Sequence, residues 1–184
     1  MVAEKVEAER LIFVDEMGTN TSLSPLYAWA PKGQRAYWSM PRNRGPNTTV
    51  LSSMCTEGMG ASLTVEGPTT SAVFEAYVEQ VLAPTLRSER VVAIANLSAY
   101  KGQRVRELIE ERGCQPIYLP SYSPDLNPVE EAFSKIKELV RKAEARTSEA
   151  AIKAIGAALS VITSRDARGF FDHCGYRMPV QSLW

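Results

Sequence analysis

Short apolar runs separated by polar and turn residues dominate the first half of the chain. Residues 11–14 (Leu-Ile-Phe-Val) end on Asp15, and polar and turn residues run from Gly18 to Pro25. This pattern predicts a buried strand with an acid at its exit. Residues 27–30, closed by Pro31-Lys32-Gly33, predict a second strand. Thr48–Cys55, rich in Thr and Val, predicts a third, and residues 61–65, after a Glu57-Gly58 turn, a fourth. Strands in this succession predict an antiparallel meander.

The second half changes period. Over residues 69–86, Val73, Phe74, Tyr77, Val78, Val81 and Leu82 recur at helical spacing. Val91–Ile94 is a continuous apolar strand, residues 101–112 a helix stopped by Gly113, and residues 116–119 another strand. Residues 122–128 form a loop rich in Ser-Pro and Asn-Pro. Residues 129–141 are amphipathic, with Ala132, Phe133, Ile136 and Val140 on one face; residues 148–162 follow as a helix N-capped by Thr147, and residues 163–174 add a short one. Strands first, then alternating helix and strand, then helices, predict one α/β domain over residues 1–184, a mixed sheet with helices on both faces.

Composition narrows the class. The chain has 184 residues, 45% hydrophobic and 23% charged, enough for one core without staples. No apolar run is long enough for a membrane span, and the charged first residues lack a signal core, so a cytoplasmic protein is expected. Three widely spaced cysteines, Cys55, Cys114 and Cys174, suggest no disulfide framework. The adjacent His173-Cys174 pair is too little for a metal site. With 21 basic and 21 acidic residues, any nucleic-acid surface must come from local clustering, not net charge.

Three places carry candidate chemistry. Asp15-Glu16 ends the first strand, Asn96 opens the polar loop after residues 91–94, and a proline-bounded loop leads into Glu130-Glu131. Pro128 suits a first helical turn, having no N–H to satisfy, and would aim Glu130 back toward the sheet. The stretches Asp15-Glu16-Met17-Gly18-Thr19, Asn96-Leu97-Ser98-Ala99-Tyr100 and Tyr122-Ser123-Pro124-Asp125-Leu126-Asn127-Pro128-Val129-Glu130 resemble the three signature blocks of DDE transposases of the IS-six-thirty/Tc-one/mariner superfamily. Pro41-Arg42-Asn43-Arg44-Gly45 also fits, and the resemblance runs from about Leu11 to about Tyr176.

The resemblance implies a ribonuclease H-like fold with a mixed five-stranded sheet, and DNA strand cleavage and transfer. It places the catalytic acids at Asp15, position 95 and Glu130. Between positions 95 and 130 lie 34 residues, Asn96 through Val129, the family's usual separation. Position 95, however, is alanine where the family has aspartate, and Tyr100 stands where bacterial relatives have histidine. Such acids hold two Mg²⁺ or Mn²⁺ ions, hard cations that take oxygen ligands and serve both the nucleophile and the leaving oxygen. With Ala95 supplying no ligand atom, the expectation is an impaired enzyme, either through a deliberate substitution or as a decayed or domesticated copy that only binds DNA or protein.

Supporting positions follow. Asp15 and Glu130 are the expected metal ligands, with Glu16, Asn96 and Asp125 beside them. Asn96 either orients a ligand or closes its loop, and Asp125 either serves the site or bonds to turn backbone. Tyr118, Tyr122 and Phe133 read as packing groups rather than base-stacking ones. Lys32, Arg35, Arg42 and Arg44, interleaved with Tyr37 and Trp38, form either a DNA-binding patch or a solvated hairpin; Lys101 and Arg104, with Arg106, flank position 95. Lys135, Lys137, Arg141 and Lys142 read as a solvated face. The expected partners are transposon-end and target DNA and a second copy of the chain, in a bacterial, nucleoid-associated setting. The full-length family carries an N-terminal helix-turn-helix that this chain is expected to lack. The C-terminal residues 177–184, ending in Leu183-Trp184, are a candidate docking point for a partner.

Overall fold

The computed structural model describes residues 6–24, 27–37 and 45–177. Five strands form one sheet in the order β3-β2-β1-β4-β5: β1 Leu11–Thr19, β2 Thr48–Cys55, β3 Gly58–Glu66, β4 Val91–Ile94 and β5 Gln115–Tyr118. The first three are antiparallel neighbours, as the meander predicts, while β1–β4 and β4–β5 are parallel.

Each face of the sheet is covered. Phe13, Met17, Val50, Met54 and Ala93 pack against α3 (Pro128–Lys142), α4 (Ser148–Val161) and α5 (Ser164–His173). The alternate residues, Val14, Leu51, Val92 and Ile94, pack against α1 (Ser71–Tyr77) and α2 (Gln103–Glu110). The period-2 alternation of a strand thus sends neighbouring residues of β1 into opposite layers. Thr147 caps α4 by accepting from the Ala150 N–H, and Thr163 and Asp166 cap α5 reciprocally. Lys135 bridges to Asp166 at 2.7 Å and joins α3 to α5; Lys142 pairs with Glu138. For these two lysines the solvated, structural reading holds.

Three expectations need correction. Residues 27–30 form no strand; Tyr27 and Trp29 are exposed, since an alternating pattern without a neighbour to pair with is not a strand. β1 does not stop at Asp15 but runs on to Thr19, because β2 continues to pair with it up to Thr19↔Thr48. The helix expected over residues 69–86 is broken: after α1 the turn widens over Val78–Leu82, with the Ala83 N–H reaching back to Val78, and tightens over Ala83–Thr85. Pro84 has no N–H to continue an α-helix.

Gly113, the expected helix stop, has φ +68°, and a Cβ there would lie 3.2 Å from the Ser88 Cβ. Gly113→Ala is therefore expected to cost about 1–2 kcal/mol, read as a lower urea midpoint with an unchanged slope.

Candidate functional site

The parallel β1–β4 ladder ends at Val14↔Ile94, and the next N–H, that of Ala95, donates to the Val14 carbonyl at 3.3 Å. Asp15 and Ala95 are therefore adjacent positions just past the ladder. On the other side of β4, the Leu119 N–H donates to the Ile94 carbonyl at 3.0 Å and starts the loop that leads to α3. These exits open a cleft of about 430 Å³ lined by Asp15, Glu16, Ala95, Asn96, Asn127 and Glu130, with residues 119–124 as one wall. Ligand crevices of α/β sheets characteristically lie at the carboxyl ends of parallel strands.

Asp15 is the buried member, 6% exposed, whereas Glu130 is exposed in the first turn of α3. One Asp15 oxygen accepts the Glu16 N–H at 2.7 Å, and the other accepts the Asn127 side-chain amide at 2.6 Å. Burial pushes its carboxyl up to about 7, the Glu130 and Glu16 charges push the same way, and the two hydrogen bonds oppose them. Asn127 is 4% exposed, and its Oδ1 is buried without a partner at the cleft wall.

Glu16, one residue along β1, lines the cleft but turns its carboxylate toward Tyr100 in the opposite layer. Its Oε2 is buried and unpaired, as are the hydroxyls of Tyr100 and Thr69. Burial raises the Tyr100 phenol strongly, and the nearby Glu16 charge adds to it. Tyr100 is fully buried and stacks on Phe74 at 3.9 Å between ring centroids. Among the described residues no three of His, Cys, Asp and Glu converge as a metal-ligand set. The alternation of β1 explains why Glu16 does not complete one.

Other expected residues fall as follows. Asn96 closes its loop, donating to Ser121 Oγ at 2.9 Å across the two cleft-bearing segments. Asp125 is exposed outside the cleft lining; burial chiefly raises the Cys174 thiol and the Tyr176 phenol, and the Asp125 charge adds a little to both, which places it on the α5 side of the turn. Glu131 faces away and bonds to His173 Nδ1, holding that imidazole above its usual range. Lys32 and Arg35 are exposed on residues 27–37; Arg42, Arg44 and Trp38 lie outside the described residues, as do Leu183 and Trp184. Lys101 Nζ lies 5.9 Å from the centre of the Tyr118 ring. Arg104 is held among Glu79, Glu107 and Glu111, and its charge is locally offset. Tyr118 is partly buried and Phe133 fully, but Tyr122 corrects the packing expectation: it is fully exposed on the cleft rim.

Asn127 escaped the sequence reading of site residues. The available signal was its place three residues before Glu130 and directly before the proline that starts a helix. That position has extended backbone and a side chain free to reach another element.

The DDE superfamily endonuclease family model matches residues 10–152, and the chain belongs to that family. Among solved structures it is similar to the Mos1 transposase chain of a pre-cleavage Mos1 transpososome, at 17% identity and TM-score 0.72, covering 94% of this chain and 55% of that one. The Mos1 mariner paired end complex with Mn gives 16% identity and TM-score 0.70, covering 94% and 55%. The catalytic domain of Mos1 mariner transposase gives 14% and 0.64, covering 94% and 81%. The chain thus spans about half the length of the first two, and the likeness establishes the ribonuclease H-like fold. No curated protein sequence matches it. Among the described residues no helix is long and apolar enough to cross a membrane.

Proposed function

We propose that the chain is the catalytic domain of a transposase that cleaves and joins DNA strands, impaired as it stands because Ala95 occupies the second acidic position. The observation that carries this is the convergence of Asp15, Ala95 and Glu130, from three separate elements, on one cleft. The donor set suits one divalent cation better than two. Asp15 and Glu130 offer carboxylates and Asn127 a buried, unpaired oxygen, while Ala95 offers only a methyl group.

Asp15 and Glu130 would hold Mg²⁺ or Mn²⁺, which when bound activates a water or 3′-hydroxyl and stabilises the leaving oxygen. The chain's own residues prepare that site. Asn127 and the Glu16 N–H fix both oxygens of Asp15, and the Asn96–Ser121 bond holds the two lips together. Lys32, Arg35 and Lys101, with Arg104 as the most encumbered of the four, would contact DNA phosphates, as would Arg42 and Arg44, which lie outside the described residues. Transposon ends and target are the proposed DNA partners and a second copy of the chain the proposed protein partner, within a bacterial cytoplasm.

A second reading, a non-catalytic DNA-binding or protein-interaction remnant, draws on Tyr100. Its ring is integrated into the core against Phe74 rather than facing the cleft, so two signature positions are altered, one of them with fitted packing.

The test is Mn²⁺ titration of the chain, followed through the free-ion paramagnetic signal. About one ion per chain is expected, lost in Asp15→Ala and in Glu130→Gln. Asn127→Ala is expected to weaken binding about 10–100-fold and to cost about 1–3 kcal/mol in urea unfolding. Equal Mn²⁺ affinity in all four proteins removes the proposal.

A further inference from the structure

Tyr122 stands apart from the other aromatic side chains of the cleft region. It is 103% exposed, and its backbone φ is +56°, left-handed territory that disfavours a residue with a bulky side chain. Strained backbone concentrates where geometry serves a site, and this one lies on the cleft wall between Ser121 and Ser123. On the adjoining lip, from the loop after β4, Leu97 is 45% exposed. The two lips are joined through Asn96 and Ser121 at 2.9 Å. The cleft that holds the carboxylates is thus also lined by an uncovered aromatic ring and an uncovered aliphatic side chain, amid hydroxyl and amide groups.

That mixture does not resemble a protein-docking patch, which would present contiguous apolar area. A flat ring with polar neighbours, at the mouth of a cleft holding two carboxylates, matches an unpaired nucleobase. The ring stacks on the base face, and the hydroxyls meet its edge or its sugar. We propose that Tyr122 is a stacking platform for a nucleobase that has left the duplex beside the phosphate in the cleft, with Leu97 on the adjoining lip adding apolar contact. This rests on the DNA reading of the cleft and makes its substrate a DNA terminus or junction with an unpaired nucleotide. Tyr122 is then a binding residue, not a catalytic one.

The experiment uses the 184-residue chain at low salt. It compares a duplex carrying 2-aminopurine in a short single-stranded 3′ overhang with the same duplex made blunt. Tyr122→Asn and Tyr122→Gly suit φ +56°, so both variants are expected to melt no lower than the parent. The parent chain is expected to bind the overhang duplex more tightly than the blunt one and to quench the 2-aminopurine. Both variants should bind the overhang duplex about 5- to 100-fold more weakly and lose the quench, with blunt-duplex binding unchanged. Tyr122→Trp should keep the quench. Equal affinity and equal quench in parent and variants overturn the proposal and leave the DNA reading standing. Failure of the parent to bind either duplex removes the DNA reading, and the platform with it.

Discussion

Ala95→Asp is expected to raise Mn²⁺- or Mg²⁺-dependent strand cleavage by at least about 100-fold, since a metal ligand should count for more than the about 10–100-fold typical of groups one bond further out. The geometry favours this outcome. Position 95 follows Asp15 past the end of the same parallel ladder, and its side chain lines the cleft that Asp15 and Glu130 share. A carboxylate at that point adds hard oxygen ligands to the cleft that holds the two existing ones. The assay needs a DNA end delivered with a recognition domain, so that weak binding does not hide restored chemistry. Mn²⁺ stoichiometry gives an independent reading, expected to rise from about one ion to about two. A variant that folds, takes up the second ion and still leaves DNA intact would favour the remnant, with Tyr100 the next residue to blame.

Asp15→Asn is expected to stabilise the metal-free protein at about pH 8 and to do little at about pH 4. Burial lifts the Asp15 carboxyl from its ordinary 3.8 to about 7. At 1.36 kcal/mol for each tenfold change in proton affinity, holding the charge in the folded state costs on the order of 4 kcal/mol. The sign follows from where the proton sits. Below about pH 4 both folded and unfolded chains carry it, and nothing is lost. Between about pH 4 and 7 the folded chain keeps the proton that the unfolded chain has released, so rising pH favours unfolding; above about 7 the whole penalty stands. Asparagine never ionises, and Asn127 can turn its amide to accept from it. With chelator present, urea unfolding of the parent should weaken from about pH 4 to 8, while that of the variant stays flatter. Added Mn²⁺ should recover the parent alone. Parallel pH slopes for the two proteins would show that the buried charge carries no such cost.

Much of the architecture was legible because its elements are locally consistent. β2 and β4 match their expected limits, and α3, α4 and α5 lie within a residue or two of theirs. Residues 27–30 misled because alternation reports a strand's faces but not whether a partner is present. The end of β1 was hidden because Asp15, Glu16 and Gly18 are poor strand formers, held there by pairing with β2. That Asp15 and Glu130 share one cleft was legible through the resemblance of their blocks to the family's signatures. Asn127 was not, because its hydrogen bond to Asp15 joins residues 112 positions apart, and no local pattern announces such a contact. Tyr122 was misjudged for a related reason. Aromatic residues are usually buried, and neither the exposure of this one nor its left-handed backbone can be read from the residues around it.

That same Asp15–Asn127 bond has a consequence during synthesis. β1 leaves the ribosome well before its parallel partner β4, which comes some 80 residues later, Leu11 pairing with Val91, and Asn127 comes later still. Contacts this distant form slowly, after long loops have closed. A nascent or truncated chain ending before α3 can possess the aspartate and lack any pocket to put it in. Completion of the cleft is therefore postponed until the first turn of α3 has been made.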